Sequence, residues 1–294
     1  MNVLIIKGIS RLKIYLRLVR PFTLVAPIVC FLCGAIIASK SIPALSCLLG
    51  ASSATILNAG SNVINQYFDL DIDRINKPFR PFPSGEISGR SILNFSFMLY
   101  FSALILSLVV SLKLFLIISI TAIISFCYSA PPFRIKKHPF LSNIFIALPR
   151  GMLLIVAGWS ISKSLLNIEP WFIGLIFALY LVGAATTKDF SDIKGDRQFG
   201  IRTLPVIYCP KITSQIISPF FYLPFLLIPL GIIAGVVRVT TLPLTLLSIW
   251  GLYIARLIKK NPQELALEKN NISWIHMYLM LITGQIGFAV AYLL

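Results

Sequence analysis

The chain has 294 residues, of which 57% are hydrophobic and only 12% charged. A soluble domain carries about a quarter charged residues, so a water-soluble fold of this length is excluded. The net charge of +16 would suit a nucleic-acid partner, but the basic residues sit in short clusters between long apolar runs, which excludes that partner and leaves a polytopic membrane protein.

The basic stretch Lys7, Arg11, Lys13, Arg17 and Arg20 comes first and leads into a full-length apolar run. No small-residue cleavage signature follows, so a retained first helix is expected rather than a signal peptide. At ~20 residues per crossing, about nine spans are predicted, at roughly 21–39, 43–66, 91–110, 112–129, 140–162, 170–187, 212–236, 241–258 and 273–293. The runs are apolar throughout, without the period-two alternation of a barrel. The expected fold class is therefore all-α: one transmembrane domain over 1–294, its nine helices around a central cavity open to the cytoplasmic side. Of the 26 Lys and Arg, 21 lie before span 1 and in the loops after spans 2, 4, 6 and 8; Lys40, Lys113, Lys163 and Arg238 lie in the other loops, and Arg150 falls inside span 5. That asymmetry predicts a cytoplasmic N-terminus and a C-terminus on the opposite side, in the plasma membrane if the chain is prokaryotic.

Of ten acidic residues, six occupy two short stretches: Asp69, Asp71 and Asp73 after span 2, and Asp189, Asp192 and Asp196 after span 6. Both stretches close even-numbered spans and so open onto one face. Asn65, Asp69 and Asp73 stand at i, i+4 and i+8, and Asp189, Asp192 and Asp196 at i, i+3 and i+7, so continuous helices would carry each set as a stripe, with Asp71 off the first. Stacked carboxylates repel one another unless a cation lies between them. Oxygen donors without His or Cys suit Mg²⁺, which leaves positions free for substrate phosphate. Two facing stripes thus predict a cage for a metal-chelated diphosphate.

The bases nearby fit such a ligand, since guanidinium and ammonium groups pair with phosphate oxygens. Arg74, Lys77 and Arg80 follow the first stripe, with Arg74 and Arg80 anchored by the turn NKPFRPFPSG; Lys188 precedes the second stripe; Arg134, Lys136 and Lys137 occupy the loop between.

These residues carry a resemblance. NQYFDLDIDRINKPFRPFPSG (Asn65 to Gly85) resembles the first aspartate-rich motif of the UbiA superfamily of intramembrane prenyltransferases, an N-[DQ]-x-x-D-x-x-x-D pattern before a K-P-x-R-P turn. KDFSDIKGDRQFGIRTLPV (Lys188 to Val206) resembles the second, YSAPPFRIKK (Tyr128 to Lys137) the Tyr-containing loop after span 4, and RPFT (Arg20 to Thr23) the start of span 1. The resemblance covers the whole chain. It implies transfer of a polyprenyl group from its diphosphate to a lipophilic acceptor, with release of diphosphate, at a site within the bilayer. It implies Mg²⁺, two ions bound with the substrate diphosphate, held by Asn65, Asp69, Asp73, Asp189, Asp192 and Asp196. Arg20, Arg74, Lys77, Arg80, Arg134, Lys136 and Lys188 are the implied diphosphate ligands. Asp69, Asp73, Asp189, Asp196 and Tyr128 are the implied catalytic groups, with an Asp or Tyr128 taking the acceptor's proton.

The acceptor is signalled in conflicting ways. Gln66, where many members have Asp, is similar to the homogentisate-type branch, while RPFPSG and YSAPP resemble chlorophyll synthases and archaeal glycerolipid prenyltransferases. The expectation is an aromatic ring of quinone or tocopherol type, with a glycerol phosphate lipid or a chlorophyllide as alternatives. A transporter of an anionic solute, the rival class, would want a midplane site rather than acids gathered at one face. A phospholipid-alcohol transferase would show D-G-x-x-A-R, and no acid here is followed by Gly. Cys30 and Cys33 lie within an apolar span without further ligands, which argues against a zinc or redox site; Cys47, Cys127 and Cys209 read as small apolar packing residues, and the isolated His138 and His276 as interfacial ones. Asn58, Asn62 and Gln66 are read as cavity lining or as glue between helices.

Overall fold

The computed structural model describes residues 2–40, 44–267 and 271–294, with side chains from Arg11 onward. Among the described residues nine helices are long and apolar enough to cross a membrane: Pro21–Ser39, Leu45–Phe68, Gly89–Val110, Leu112–Ser129, Leu141–Trp159, Glu169–Thr186, Leu204–Ile233, Val239–Lys260 and Ile272–Leu293. They are spans 1 to 9. Among the described residues three further α-helices lie outside them, at Asn2–Val19, Leu70–Asn76 and Asp189–Gln198, with short 3-10 turns at Ile135–Lys137 and Pro262–Ala266.

Local chemistry sets several of the ends. Ser88, Ser111 and Asn271 are extended residues whose side chains accept from the backbone N–H three positions on, capping spans 3, 4 and 9, as short polar side chains do at orphan helix donors. Ser111 closes span 3 and opens span 4, so these two spans form a hairpin with a one-residue joint. Span 7 begins at Leu204, earlier than its hydropathy indicates, because Pro205 starts a helix without loss of a backbone bond. That helix breaks at Cys209, whose φ of 60 precedes Pro210, and continues through 3-10 turns begun at Pro219 and Pro224.

Spans adjacent in sequence pack on one another through the bundle, and span 9 returns against span 1. Spans 2 and 5 are mostly buried, whereas spans 3 and 4 present most of their residues outward. Outward side chains such as Phe101, Val109, Leu112 and Ile123 suit acyl chains as solvent. Spans 1 and 5 meet backbone to backbone: a Cβ at Gly158 would lie 2.0 Å from the Phe31 carbonyl oxygen, and one at Gly34 would lie 2.1 Å from that of Ile155. Small residues permit such contact, which dispersion then stabilises.

Span 5 departs from a regular helix over Leu148–Leu153, a π-turn that contains Pro149 and Arg150. Proline has no N–H for the helical ladder, and a wide turn absorbs the interruption. Arg150 thereby sits within a predominantly apolar bundle, pointing its Nη2 to Asn62 Oδ1 at 3.3 Å.

Candidate functional site

The first motif straddles a joint. Span 2 ends at Phe68, Asp69 is off-helical at φ −101, ψ 11, and a short helix resumes over Leu70–Asn76. The backbone ladder nevertheless runs through: Asp69 N–H donates to the Asn65 carbonyl at 3.0 Å, Asp73 to Asp69 at 2.7 Å and Lys77 to Asp73 at 2.7 Å. The stripe is therefore kept in phase although the helix is not continuous. Asn65 Nδ2 donates to Asp69 Oδ2 at 2.9 Å and to Ser129 Oγ at 3.2 Å. Lys136 Nζ bonds the other oxygen of Asp69, and Arg134 Nη2 lies 3.7 Å from it while donating to the Phe68 carbonyl at 3.0 Å. Arg80 grips Asp73 with bonds of 2.8 and 2.6 Å.

The second motif forms the helix Asp189–Gln198, and one asparagine fastens it to the first. Asn76 Nδ2 donates to the Asp192 carbonyl at 3.0 Å, and its Oδ1 accepts from Gly195 N–H at 2.9 Å. Gly195 admits this approach, since a Cβ there would lie 2.6 Å from Asn76 Nδ2. One residue on, Lys77 Nζ bonds the Asp192 carboxylate. The two acidic stretches, far apart in the chain, are thus neighbours.

Their carboxylates differ in charge environment. Burial pushes Asp192 up, but the ammonium of Lys77 outweighs it and holds the group below the usual carboxylate range. Burial raises Asp73 despite Arg80. Asp189 and Asp196 reach about 7, driven first by burial and then by neighbouring acids, and no ion pair among the described residues reaches either one. Two buried carboxyls without a bonded cation, among oxygen-only donors, fit a divalent ion by the chemistry of the set. The carboxylates do not stand as a ready cage: no group of three or more His, Cys, Asp or Glu among the described residues is arranged to hold a metal ion. Lys136, Arg80 and Lys77 occupy Asp69, Asp73 and Asp192 instead.

Beneath the motifs lie two cavities. The smaller, about 270 Å³, runs between spans 2, 4 and 5 and is lined at its polar end by Arg20, Asn58, Asn62, Asn65, Tyr128, Arg150 and Lys188, with Leu57, Leu153 and Ala157 among its apolar walls. Among the described residues no acid lines it, and Arg20 Nη2 has no hydrogen-bond partner; burial, followed by the charge of Arg80, lowers its pKa to about 10, which leaves it cationic at neutral pH. Lys188 Nζ donates to the Tyr128 hydroxyl at 3.1 Å. The larger cavity, about 590 Å³, is mainly apolar, lies between spans 1, 5, 6 and 9, and shares Thr23, Ile146, Arg150 and Lys188 with the first. Asn65 links the levels, lining the smaller cavity while bonding Asp69.

The sequence-predicted residues divide accordingly. Asn65, Asp69, Asp73, Lys77, Arg80, Lys136 and the three acids of motif 2 meet in one polar layer, and Arg20, Tyr128 and Lys188 face the cavity below. Arg74 does not join them: it is exposed and bonded to Asp71 at 2.9 Å, as the stripe's phase turns both outward. Gln66 also points elsewhere, buried and donating to the carbonyls of Leu18 and Asn62, so it is a packing residue and reports nothing about an acceptor. Asn58 and Asn62 both line the cavity and hold span 1 through Thr23, and Asn62 also donates to the Val19 carbonyl at the end of the N-terminal helix. Sequence reasoning assigns no role to Asn76 or Arg150. The signals for them are an Asn beside the Lys-Pro turn and a lone charge inside an apolar span.

Residues 27–289 match the model of the UbiA prenyltransferase family. The chain is 29% identical over 280 residues to the digeranylgeranylglyceryl phosphate synthase of Methanobrevibacter smithii, covering 93% of this chain and 97% of that protein. It is 30% identical over 208 residues to the bacteriochlorophyll synthase 34 kDa chain of Chloroflexus aurantiacus, with coverages of 69% and 66%. Among solved structures, one from work on digeranylgeranylglyceryl phosphate synthase in membranes superposes with a TM-score of 0.72 at 28% identity, over 97% of this chain and 99% of that one. A UbiA homologue from Archaeoglobus fulgidus bound to GPP and Mg²⁺ shares the fold, with a TM-score of 0.78 at 22% identity over 95% and 99%. The chain belongs to the UbiA prenyltransferase family and is an integral, multi-pass enzyme that transfers prenyl groups within the membrane.

Proposed function

We propose that this enzyme transfers a polyprenyl group from its diphosphate to the free hydroxyl of a prenylated glycerol phosphate. The carrying observation is the likeness along nearly the whole chain to digeranylgeranylglyceryl phosphate synthases. The small cavity supports it: Arg20, Arg150 and Lys188 line it without an acid, as suits an acceptor with a phosphate of its own. The aromatic acceptor of the sequence reading gives way to its glycerolipid alternative, which the relatives matched along most of the chain favour.

Asn65, Asp69, Asp73, Asp189, Asp192 and Asp196 are the residues that would hold Mg²⁺. When bound, the ion supplies charge stabilisation to the departing diphosphate. Lys77, Arg80 and Lys136, now on carboxylates, are cationic donors for the diphosphate oxygens as the allylic C–O bond breaks and negative charge grows there. The acceptor hydroxyl oxygen forms its bond to the allylic carbon. Its proton passes to Tyr128 of the cavity wall and on toward the carboxylates of motif 2. Leu57, Leu153 and Ala157 keep water from the allylic cation, and the larger cavity takes apolar chain. The N-terminus lies in the cytoplasm, on the loop-charge asymmetry.

The test is incubation of the purified protein and Mg²⁺ with labelled prenyl diphosphates of several lengths and three acceptors: geranylgeranylglyceryl phosphate, an aromatic carboxylic acid and a chlorophyllide. Product is expected with the glycerolipid. Product with either of the others and none with the glycerolipid would overturn the assignment.

A further inference from the structure

The helix Asn2–Val19 is not a span, and its C-terminal half is docked on the bundle. Leu18 is fully buried with Val63 and Ile92, and the Tyr15 ring meets Phe95 edge-on at 4.7 Å. Phe95 follows Gly89, the first residue of span 3, by about 9 Å of helix at 1.5 Å per residue. Its C-terminal half therefore lies along the first two turns of span 3, at the end of the bundle where the aspartate motifs open. Its side away from the bundle carries Leu12 and Leu16, one turn apart and 60% and 48% exposed; in the sequence Ile5 and Ile9 continue the same helical spacing. Arg11 and Lys13 are exposed beside them, and no Asp or Glu occurs before Asp69. Arg17 turns inward, pairing with Glu86 at 2.7 Å and donating to the Phe79 carbonyl at 2.6 Å, next to the arginine that grips Asp73.

We infer that this helix is an interfacial lipid-binding element, with Leu12 and Leu16 in the acyl boundary and Arg11 and Lys13 on anionic headgroups of that leaflet. In a multi-pass protein an apolar stripe at this end of the bundle meets acyl chains, and a basic flank free of acids is attracted to anionic lipid. Each Lys or Arg at such a surface strengthens the attraction about five-fold, and salt screens it. Through Arg17, occupancy by lipid steadies the motif 1 turn. The inference needs only that the chain spans a membrane and holds whatever the acceptor is.

The experiment uses the full chain in vesicles of phosphatidylcholine, alone or with a third of phosphatidylglycerol, and reads the thermal unfolding midpoint. Phosphatidylglycerol is expected to raise the midpoint. The double variant Arg11→Gln/Lys13→Gln loses at least half of that rise, whereas the charge-keeping swap Arg11→Lys/Lys13→Arg retains it, and high salt removes it from the parent chain. The phosphatidylcholine midpoint separates this loss from general destabilisation. An equal rise in the Gln variant and the parent would overturn the proposal and leave the stripe to another occupant, such as an acidic protein.

Discussion

Burial raises Asp189 and Asp196 to about 7, and no cation among the described residues is paired with either; such groups destabilise a fold unless a ligand offsets the burial. Replacing Asp69 or Asp196 by Ala is therefore expected to abolish turnover while the protein still inserts and unfolds cooperatively, as activity and thermal unfolding of the same preparations will show. Among the described residues Arg150 donates to the Asn62 amide oxygen at 3.3 Å and to no other side chain, and it lines both cavities, where its other donors can meet a ligand. Arg150→Gln is predicted to raise KM for a phosphate-bearing acceptor by about 10–100-fold, the worth of one charged hydrogen bond, with less effect on kcat. At this scale the residue types of the polar layer are readable from the chain, because ten acids among 294 residues leave few places for carboxylate chemistry. Which basic residue meets which acid is not readable. Arg74 lies in the short helix and Arg80 in the turn after it; helical phase leaves Arg74 exposed on Asp71, while the fold of the Lys-Pro turn, which spacing does not register, brings Arg80 back to Asp73.

The two motif-bearing helices are joined by Asn76 and by the Lys77–Asp192 pair. Asn76 satisfies a carbonyl and an N–H of the opposite helix, and Asn76→Ala would strand both at a cost of about 1–3 kcal/mol. Steady-state kinetics should show kcat/KM reduced about ten-fold or more while the spans stay assembled. In the bundle itself the sensitive element is the crossing of spans 1 and 5. Gly158→Val must force the span 5 backbone away from that of Phe31, and is predicted to destabilise by about 4 kcal/mol or more, measured as a lowered unfolding midpoint. Nine spans are legible from hydropathy since each needs a run of apolar residues whatever it packs on. The π-turn at Pro149 and the early start of span 7 are not, since hydropathy does not register hydrogen-bond phase and Lys211, Thr213, Ser214 and Gln215 separate the short apolar stretch Leu204–Pro210 from the long run that follows.

Across the whole molecule, the layers are ordered by polarity: carboxylates and bases at one face, a cationic cavity beneath, and apolar space within the bilayer. The proposed orientation, argued from loop charge, is tested by thiol labelling of intact cells with an impermeant reagent. Asn167→Cys, exposed between spans 5 and 6, should react, and the native exposed Cys209 should not; the reverse pattern would invert the topology. The central claim is that both motifs serve one metal-chelated diphosphate. Calorimetric binding of a prenyl diphosphate to the protein in nanodiscs, with and without Mg²⁺, tests it most directly. The account predicts Mg²⁺-dependent binding that Asp69→Asn and Asp196→Asn each weaken by about ten-fold or more. Unchanged affinity in either variant would contradict it.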